Sequence, residues 1–416
     1  MRQSHLFFKT QKEFPKDEVA VNAQFLIRAN FIEKLMAGVY SFLPLGWRTR
    51  EKIIAVIREE MNALGSAEII MPALHPKSVW EPTGRWTTME PIMYQFPSHY
   101  GGDFGLGPTH EEVVAQLAKG IINSYQDLPV SVFQIQTKFR DEKRPKSGLL
   151  RGREFTMKDL YSFHEDETSL AKFYDEVKKS YTKTFSRLGL KTYVTEASGG
   201  DFSKEYSHEF MVESASGEDE IIVCRLCGFA QNKEISKLKS GVSCPHCQSG
   251  VLDRVNAIEV GNIFKLGTKF SEPINLFFKD KNGKNQPVIM ASYGIGVERL
   301  MGTIVELHHD EKGIIWPEEA APFQIHLLLI GERTSELEKF GAQAYNQLTK
   351  DGVEVLFDDR SDISAGEKFF DADLVGLPWR VVVSEKTMVQ DKVEIKRRDS
   401  KDSKLVKVGE IAKLLN

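Results

Sequence analysis

The 416-residue chain lacks long apolar runs, a marked excess of charge of one sign, internal repeats and low-complexity stretches. No run approaches the roughly 20 apolar residues that a membrane-spanning helix needs, and the N-terminal MRQSHLFFKTQKEFPKDE contains no apolar signal core. We therefore expect a cytoplasmic protein with no membrane partner. The net charge of −4 excludes a globally basic surface, so any contact with RNA has to come from local basic clusters.

Cysteine is also scarce, and its four copies fall into two pairs, Cys224 with Cys227 and Cys244 with Cys247. Two C-x2-C pairs separated by 16 residues, in a chain that we expect in a reducing compartment, are typical of a zinc ribbon rather than of disulfides. Because four thiolates complete a closed tetrahedral shell, the predicted Zn²⁺ is structural. The alternative is four ordinary thiols that hold no metal.

Hydrophobic periodicity predicts two long helices and a hairpin in the first half of the chain. Apolar residues recur at helical spacing over residues 48–64 and again over residues 168–188. Apolar and polar residues alternate over residues 130–140 and 153–163, as in half-buried strands. Because a polar, basic loop of twelve residues joins these two strands, we expect an antiparallel hairpin.

After Trp316 and Pro317 the pattern changes to strands that alternate with a helix, which is typical of a small α/β domain. The predicted helix covers residues 335–348. The predicted strands cover residues 323–330, 353–357 and 380–383. We place the boundary between the two parts of the chain near residue 320.

Three segments carry patterns that are weak alone but stand in an informative order. They are the first predicted helix with Glu68-Ile69-Ile70-Met71-Pro72, then Phe139-Arg140-Asp141-Glu142 with Arg151-Gly152-Arg153-Glu154-Phe155, and finally ASYGIGVERL at residues 291–300. Together they resemble the three motifs of class II aminoacyl-tRNA synthetases. The resemblance implies an α+β fold with an antiparallel sheet flanked by helices, ATP as a substrate, Mg²⁺ on its phosphates, and a homodimer.

The second and third motifs contain the residues that the resemblance assigns to ATP. Arg140 can bridge the α-phosphate and an amino-acid carboxylate with forked hydrogen bonds, and Arg299 reaches the triphosphate from the opposite side. These two arginines are the candidate catalytic groups. Glu142 can accept from the adenine amine, and Arg151 can hold the γ-phosphate. Phe155 can stack on adenine, and Glu259 can help to hold Mg²⁺. For the second motif, a surface hairpin held by ion pairs is the alternative interpretation.

The segment LGPTHEE resembles the T-x-E loop of prolyl-tRNA synthetases, and similarity to the bacterial branch of that family extends over nearly the whole chain. Glu111 can pair with the secondary ammonium of proline, and Thr109 can hydrogen-bond nearby. The same two residues also suit the N-terminus of a helix. The resemblance places Arg140 in the proline pocket as well. Its expected wall consists of Met157, which would also suit a plain core position, together with Phe202, His208 and Ser292.

The chain departs from typical bacterial members between the second and third motifs. Those members carry a large domain there that hydrolyses mischarged alanyl-tRNA, whereas here only residues 224–256, with the four cysteines, occupy that place. The resemblance therefore implies a catalytic domain made of residues 1–223 and 257–320, a short zinc-ribbon-like insert, and an α/β anticodon-binding domain over residues 321–416. It also implies that the chain does not clear alanyl-tRNA itself. The cell would then either tolerate the errors or supply a separate deacylase acting in trans.

Candidate tRNA contacts fall in two regions. The basic loop, which would approach the acceptor stem, contributes Lys143, Arg144 and Lys146. In the C-terminal domain, Arg and Glu side chains can read guanine edges in an unstacked loop, although solvated surface charge is the alternative interpretation. The candidates there are Asp359, Arg360, Glu367 and Lys368.

The predicted function is ATP-dependent activation of proline followed by its transfer to the 3′ end of the tRNA for proline, with catalysis mainly by positioning and electrostatics. Two alternatives stay open. One is a synthetase of the same subgroup for threonine, histidine or glycine, which the T-x-E loop and the closed cysteine shell oppose. The other is a non-enzymatic RNA-binding paralogue, which the intact motif residues oppose.

Overall fold

The computed structural model describes residues 1–143, 145, 147–200 and 206–415. Its helices are α1 (Val21–Arg28), α2 (Pro44–Ala63), α3 (Lys77–Trp80), α4 (Arg85–Thr88), α5 (Glu111–Lys119), α6 (Glu167–Arg187), α7 (Ser271–Ile274), α8 (Val297–Leu307), α9 (Ser335–Lys350), α10 (Ala365–Val375), α11 (Glu385–Met388) and α12 (Ile411–Leu414). Its strands are β1 (Ile32–Met36), β2 (Val39–Phe42), β3 (Ala67–Glu68), β4 (Leu74–Pro76), β5 (Gln95–Pro97), β6 (Asp103–Leu106), β7 (Val130–Phe139), β8 (Glu154–His164), β9 (Thr192–Ala197), β10 (Ser207–Glu213), β11 (Asp219–Cys224), β12 (Ala230–Asn232), β13 (Leu252–Gly267), β14 (Phe277–Lys279), β15 (Asn285–Pro287), β16 (Ile289–Gly296), β17 (Ile325–Leu329), β18 (Val355–Asp358), β19 (Trp379–Val383), β20 (Val393–Arg397) and β21 (Ser403–Val406).

The chain folds as two compact units. The central unit comprises residues 37–39 and 54–303, and the terminal unit comprises residues 1–36, 40–53 and 304–416. Residues 1–36, 40–53 and 304–320, which the sequence assigned to the catalytic domain, thus group with the C-terminal residues. Among the described residues, no helix has the length and apolar composition that crossing a bilayer requires.

A nine-stranded sheet in the order β10-β9-β12-β11-β13-β16-β8-β7-β3 organises the central unit. The sheet is antiparallel apart from the β3–β7 and β12–β9 pairings, which confirms the predicted sheet type. The predicted hairpin is confirmed to within one residue at each strand end, since β7 and β8 pair from Val130 opposite Phe163 to Phe139 opposite Glu154.

Strand alternation gives this sheet two different faces. On β8, Lys158 points toward α6, where its Nζ donates to the Tyr181 hydroxyl, while its neighbours Met157 and Asp159 line a cavity on the other face. Helix α6 confirms the prediction over 168–188. It begins where the Asp166 carboxylate caps the Ser169 N–H at 2.7 Å, and Gly189 follows its end with a φ of 76°.

The terminal unit contains a five-stranded sheet in the order β18-β17-β19-β20-β21. Strands β17, β18 and β19 are parallel, with α9 and α10 as crossover helices, which confirms the predicted α/β pattern. Side chains of Thr334 and Ser364 cap the N-termini of these two helices. Buried aliphatic side chains from all three parallel strands form the core of this unit.

Candidate active site

The face of the central sheet opposite α6 carries a cavity of about 200 Å³ that is open to solvent. It lies over the middle strands β8, β16 and β13, between the turn after β7 and the start of α8. Residues from all of these elements line it, including ten of the candidates: Thr109, Glu111, Arg140, Glu142, Arg151, Phe155, Met157, Glu259, Ser292 and Arg299.

The two candidate catalytic arginines differ in how firmly their guanidinium groups are held, and Arg140 has few contacts. Arg140 Nη2 donates to the Pro108 carbonyl at 3.4 Å, and its Cζ lies 5.3 Å from the centroid of the Phe155 ring. The buried Arg140 Nε has no hydrogen-bond partner among the described residues. Because a buried unsatisfied donor is costly, this N–H group is available to an anionic ligand.

Arg299 connects three parts of the cavity wall. Its Nε donates to the Leu150 carbonyl at 2.9 Å, and its Nη1 lies 3.3 Å from Glu259 Oε2. Glu259 Oε1 in turn accepts from Asn262 Nδ2 at 3.1 Å. At the rim, Arg151 Nε donates to Glu142 Oε2 at 2.9 Å. The cavity therefore contains cationic and carboxylate groups at the same end.

The end of the cavity near Thr109 and Glu111 is acidic and deeply buried. Thr109 Oγ1 donates to Glu111 Oε2 at 2.5 Å, at the start of α5. Arg85 Nη1 lies 3.4 Å from the same oxygen and 3.0 Å from both oxygens of Glu112. The Arg85 guanidinium also lies between the rings of Trp80 and Phe270. Arg85 thus neutralises Glu112, which leaves Glu111 to present a carboxylate to the cavity.

A buried polar network supports the floor beneath this acidic end. Lys138 Nζ lies 2.8 Å from Asp159 Oδ1 and donates to His110 Nδ1 at 2.9 Å. His110 Nε2 therefore carries the ring proton and donates to the Pro72 carbonyl at 2.9 Å. Burial, followed by the nearby Lys138 charge, lowers the pKa of His110 to about 3. The imidazole is therefore neutral at physiological pH and fixed in one tautomer.

Strand register corrects the placement of His208 in the pocket wall. His208 pairs with Ile263 on β13, and its Nδ1 lies 2.9 Å from the hydroxyl of Tyr174 on α6, so its side chain is on the face away from the cavity. The next residue, Glu209, lies opposite Asn262 on the cavity face and accepts from Asn232 Nδ2 at 3.1 Å. The sequence did not identify Glu209.

Three candidates, Arg144, Lys146 and Phe202, lie outside the described residues. Of the basic loop candidates, Lys143 is described and exposed. The four anticodon candidates all have interaction partners within the terminal unit.

In the terminal unit, Arg360 Nη2 lies 2.6 Å from Asp358 Oδ2 and 2.8 Å from Asp371 Oδ2. Lys368 is buried, and its Nζ donates to the Leu329 carbonyl at 2.9 Å. Asp359 pairs with Arg2 at 2.9 Å. The fourth candidate, Glu367, completes the capping box of α10. These charges therefore hold the unit together, and Lys368 does not lie at its surface.

The four cysteines converge in the insert, where their Sγ atoms all lie within 4.8 Å of one another. Cys224 Sγ lies 3.8 Å from Cys247 Sγ, and Cys227 Sγ lies 3.7 Å from Cys244 Sγ. Four sulfurs at about 2.3 Å from a zinc ion form a tetrahedron with edges of about 3.8 Å. The cluster therefore fits Zn²⁺, and these separations are too long for disulfides.

Two family models match the chain. The model of the tRNA synthetase class II core domain (G, H, P, S and T) matches residues 94–308, and the anticodon binding domain model matches residues 324–416. Among solved structures, prolyl-tRNA synthetase of Cryptosporidium parvum superposes with a TM-score of 0.77 at 19% identity, over 95% of this chain and 76% of that one. The Giardia lamblia enzyme gives 0.76 at 19% identity, over 93% and 74%. These likenesses establish the fold.

Curated relatives match over almost their whole length. The proline–tRNA ligase of Halothermothrix orenii is 34% identical over 96% of both chains, and that of Persephonella marina is 33% identical over 100% of both. The first alignment spans 546 positions, whereas this chain has 416 residues. At least 130 positions of that relative, the difference between the two numbers, therefore have no counterpart here.

Proposed function

The chain belongs to the proline–tRNA ligases among the class II tRNA synthetases, and we propose that its cavity activates proline with ATP and then transfers it to the 3′ end of its tRNA. One observation carries this proposal. A single cavity is lined by a buried carboxylate, Glu111, and by two arginines, Arg140 and Arg299. A zwitterionic amino acid and a triphosphate need this distribution of charge.

The geometry supports a role for each group. Glu111 pairs with the proline ammonium, while the Arg140 guanidinium, with its unpartnered Nε, holds the carboxylate against the α-phosphate. The carboxylate then attacks the α-phosphate in line, and pyrophosphate leaves. Because the arginines neutralise the charge that develops on the phosphate, no protein nucleophile is needed.

Met157 and Ser292 border the site of the proline ring, Phe155 offers its face to adenine, and Glu142 accepts from the adenine amine. Arg151 lies at the rim, where it reaches the γ-phosphate. For Mg²⁺, Glu259 supplies a carboxylate oxygen on the cavity wall, which suits an ion held by one or two carboxylates and substrate phosphates. When bound, the ion neutralises phosphate charge.

The cysteine cluster supports one structural Zn²⁺ per chain, held by Cys224, Cys227, Cys244 and Cys247. Metal analysis of protein purified without chelators is expected to find one zinc per chain in a four-sulfur shell. Its removal should lower the melting temperature while proline activation persists, because no cysteine lines the cavity. Loss of proline binding on zinc removal would contradict a structural role.

We place the homodimer interface at the β3 edge of the central sheet. Among the described strands, β3 pairs only with β7, and Ile70 just beyond it is 69% exposed. Sedimentation should therefore show a dimer that Ile70→Lys weakens. The tRNA partner would meet the basic loop, whose sequence contains Lys143, Arg144 and Lys146, and the anticodon candidates in the terminal unit.

The proposed activity is tested by tRNA charging. Purified protein, ATP, labelled proline and tRNA for proline should yield alkali-labile, acid-precipitable label, and omission of ATP should abolish it. If the protein neither charges the tRNA nor hydrolyses ATP in the presence of any amino acid, the non-enzymatic RNA-binding alternative is favoured.

A further inference from the structure

The first residues of the chain run along the edge of the five-stranded sheet in the terminal unit. Arg2 forms a parallel bridge with Phe357, so this segment has the same direction as β18. Next along the segment, Gln3 Oε1 lies 2.9 Å from His326 Nε2. The Ser4 N–H then donates to Asp359 Oδ1 at 3.0 Å, one residue beyond the end of β18. The segment therefore leaves the sheet at the carboxyl edge of the parallel strands, where open α/β sheets bind their ligands.

A second set of contacts fixes the far end of this segment on α10 and on Asn30, just beyond the end of α1. Thr10 Oγ1 donates to Asp371 Oδ1 at 2.6 Å, and the Lys9 N–H donates to Asn30 Oδ1 at 3.0 Å. Lys12 lies 3.4 Å from Glu367 in the first turn of α10. Residues 5–9, which we call the edge segment, are thus held between two anchors at the carboxyl edge.

The edge segment combines a lysine and a histidine with an exposed aromatic side chain. The Phe7 side chain is 81% exposed, and His5 and Lys9 beside it are also exposed. By contrast, the charged residues behind it are already bound: Arg360 to two aspartates, and Lys368 to a backbone carbonyl. A ligand that approaches this edge therefore meets the edge segment.

We propose that the edge segment is part of the RNA-binding surface of the anticodon-binding unit. Phe7 stacks on an unpaired base, and Lys9 contacts a phosphate. Proteins recognise single-stranded RNA loops by this combination of aromatic stacking and cationic backbone contact. The inference rests on the proposed function, which supplies a tRNA as the partner.

The test compares Phe7→Ala and Lys9→Ala with two controls. Tyr100→Ala removes an aromatic ring that is fully exposed in the central unit, and Lys350→Ala removes a lysine at the end of α9, by topology at the opposite, amino edge of the sheet. Binding of tRNA for proline is measured by filter retention at several salt concentrations. Pyrophosphate exchange with proline, which involves no RNA, reports folding and activation.

Phe7→Ala is expected to raise the Kd for tRNA about tenfold or more, the value of one lost base stack. Lys9→Ala should lower the slope of log Kd against log salt by about one. Both variants should keep wild-type pyrophosphate exchange, and both controls should bind tRNA normally.

Unchanged tRNA binding in both edge variants would overturn the inference. Failure of the wild type to exchange pyrophosphate would instead overturn the proposed function. If Phe7→Ala also destabilises the protein, the salt dependence of tRNA binding by Lys9→Ala decides the test, and a slope equal to that of the wild type would overturn the inference.

Discussion

Thr109 and Glu111 form a hydrogen bond of 2.5 Å that occupies one oxygen of the carboxylate, Oε2, and leaves the other for a ligand. Glu111→Gln should therefore weaken proline binding by about 1.5–3 kcal/mol, the value of a charge-assisted hydrogen bond. The KM for proline should rise and the KM for ATP should change little. Glu81→Gln, an exposed glutamate in the same unit, is the matched control. Unchanged kinetics for proline would remove Glu111 from the site.

The buried pair of Arg85 and Glu112 should stabilise the fold as well as the site. Arg85→Met leaves two carboxylates without their cation, so we expect a loss of about 3–5 kcal/mol in the free energy of unfolding. Urea denaturation measures this change. The charge-balanced double variant Arg85→Met with Glu112→Gln should lose less than the sum of the two single variants. Additive losses would show that the two side chains do not interact.

His326 should make the terminal unit sensitive to acid. Burial lowers its pKa to about 4, and its Nε2 lies 2.9 Å from Gln3 Oε1. A histidine with a folded-state pKa below its unfolded value of about 6.5 stays neutral in the folded protein. The unfolded state then binds the extra proton, so stability falls as pH drops from about 6.5 toward 4.

His326→Gln keeps a side-chain N–H donor and removes the titration. Its free energy of unfolding should therefore fall less than that of the wild type over this pH window, by about 1–3 kcal/mol. Chemical denaturation at several pH values provides the comparison, with the exposed His99→Gln as control. Parallel pH profiles for wild type and His326→Gln would refute this role for His326.

The short insert over residues 224–256 predicts that the enzyme attaches some alanine to the tRNA for proline. Alanine is smaller than proline, and each missing methylene contributes only about 1–3 kcal/mol of discrimination, because a pocket cannot exclude a smaller ligand by clash. Residues 224–256 bring four cysteines together and are too few for the large hydrolytic domain that we expect in typical bacterial relatives. Pure enzyme should therefore not deacylate pre-formed alanyl-tRNA for proline faster than buffer does. Hydrolysis well above background would reveal an editing site elsewhere in the chain.

Helices and strands whose bounds depend on local periodicity were predicted well from the sequence. The positions of side chains that depend on strand register were predicted poorly. The β7–β8 hairpin and α6 match their predicted bounds within one or two residues. His208 and Glu209 are neighbours, and which of them faces the cavity depends on pairing with β13. That pairing shifts at a bulge between Phe210 and Met211, which no local pattern reveals.

Long-range partners account for the other residues that the sequence did not reveal. Arg85 lies 26 residues before Glu111, in a segment with no recognisable motif. Two adjacent glutamates at a predicted helix start indicate that a cationic side chain lies nearby, but no spacing rule identifies which arginine or lysine it is. In the same way, the partners of Asp359 and Asp371, Arg2 and Thr10, lie more than 350 residues away along the chain.

The most direct test of proline activation is pyrophosphate–ATP exchange measured with each of the twenty amino acids in turn. Since Glu111 and Arg140 match a zwitterion and the pocket between them is bordered by Met157 and Ser292, proline should support exchange far better than any other amino acid. Alanine should follow weakly, and Glu111→Gln should reduce the signal for proline. Faster exchange with threonine, histidine or glycine than with proline would contradict the account.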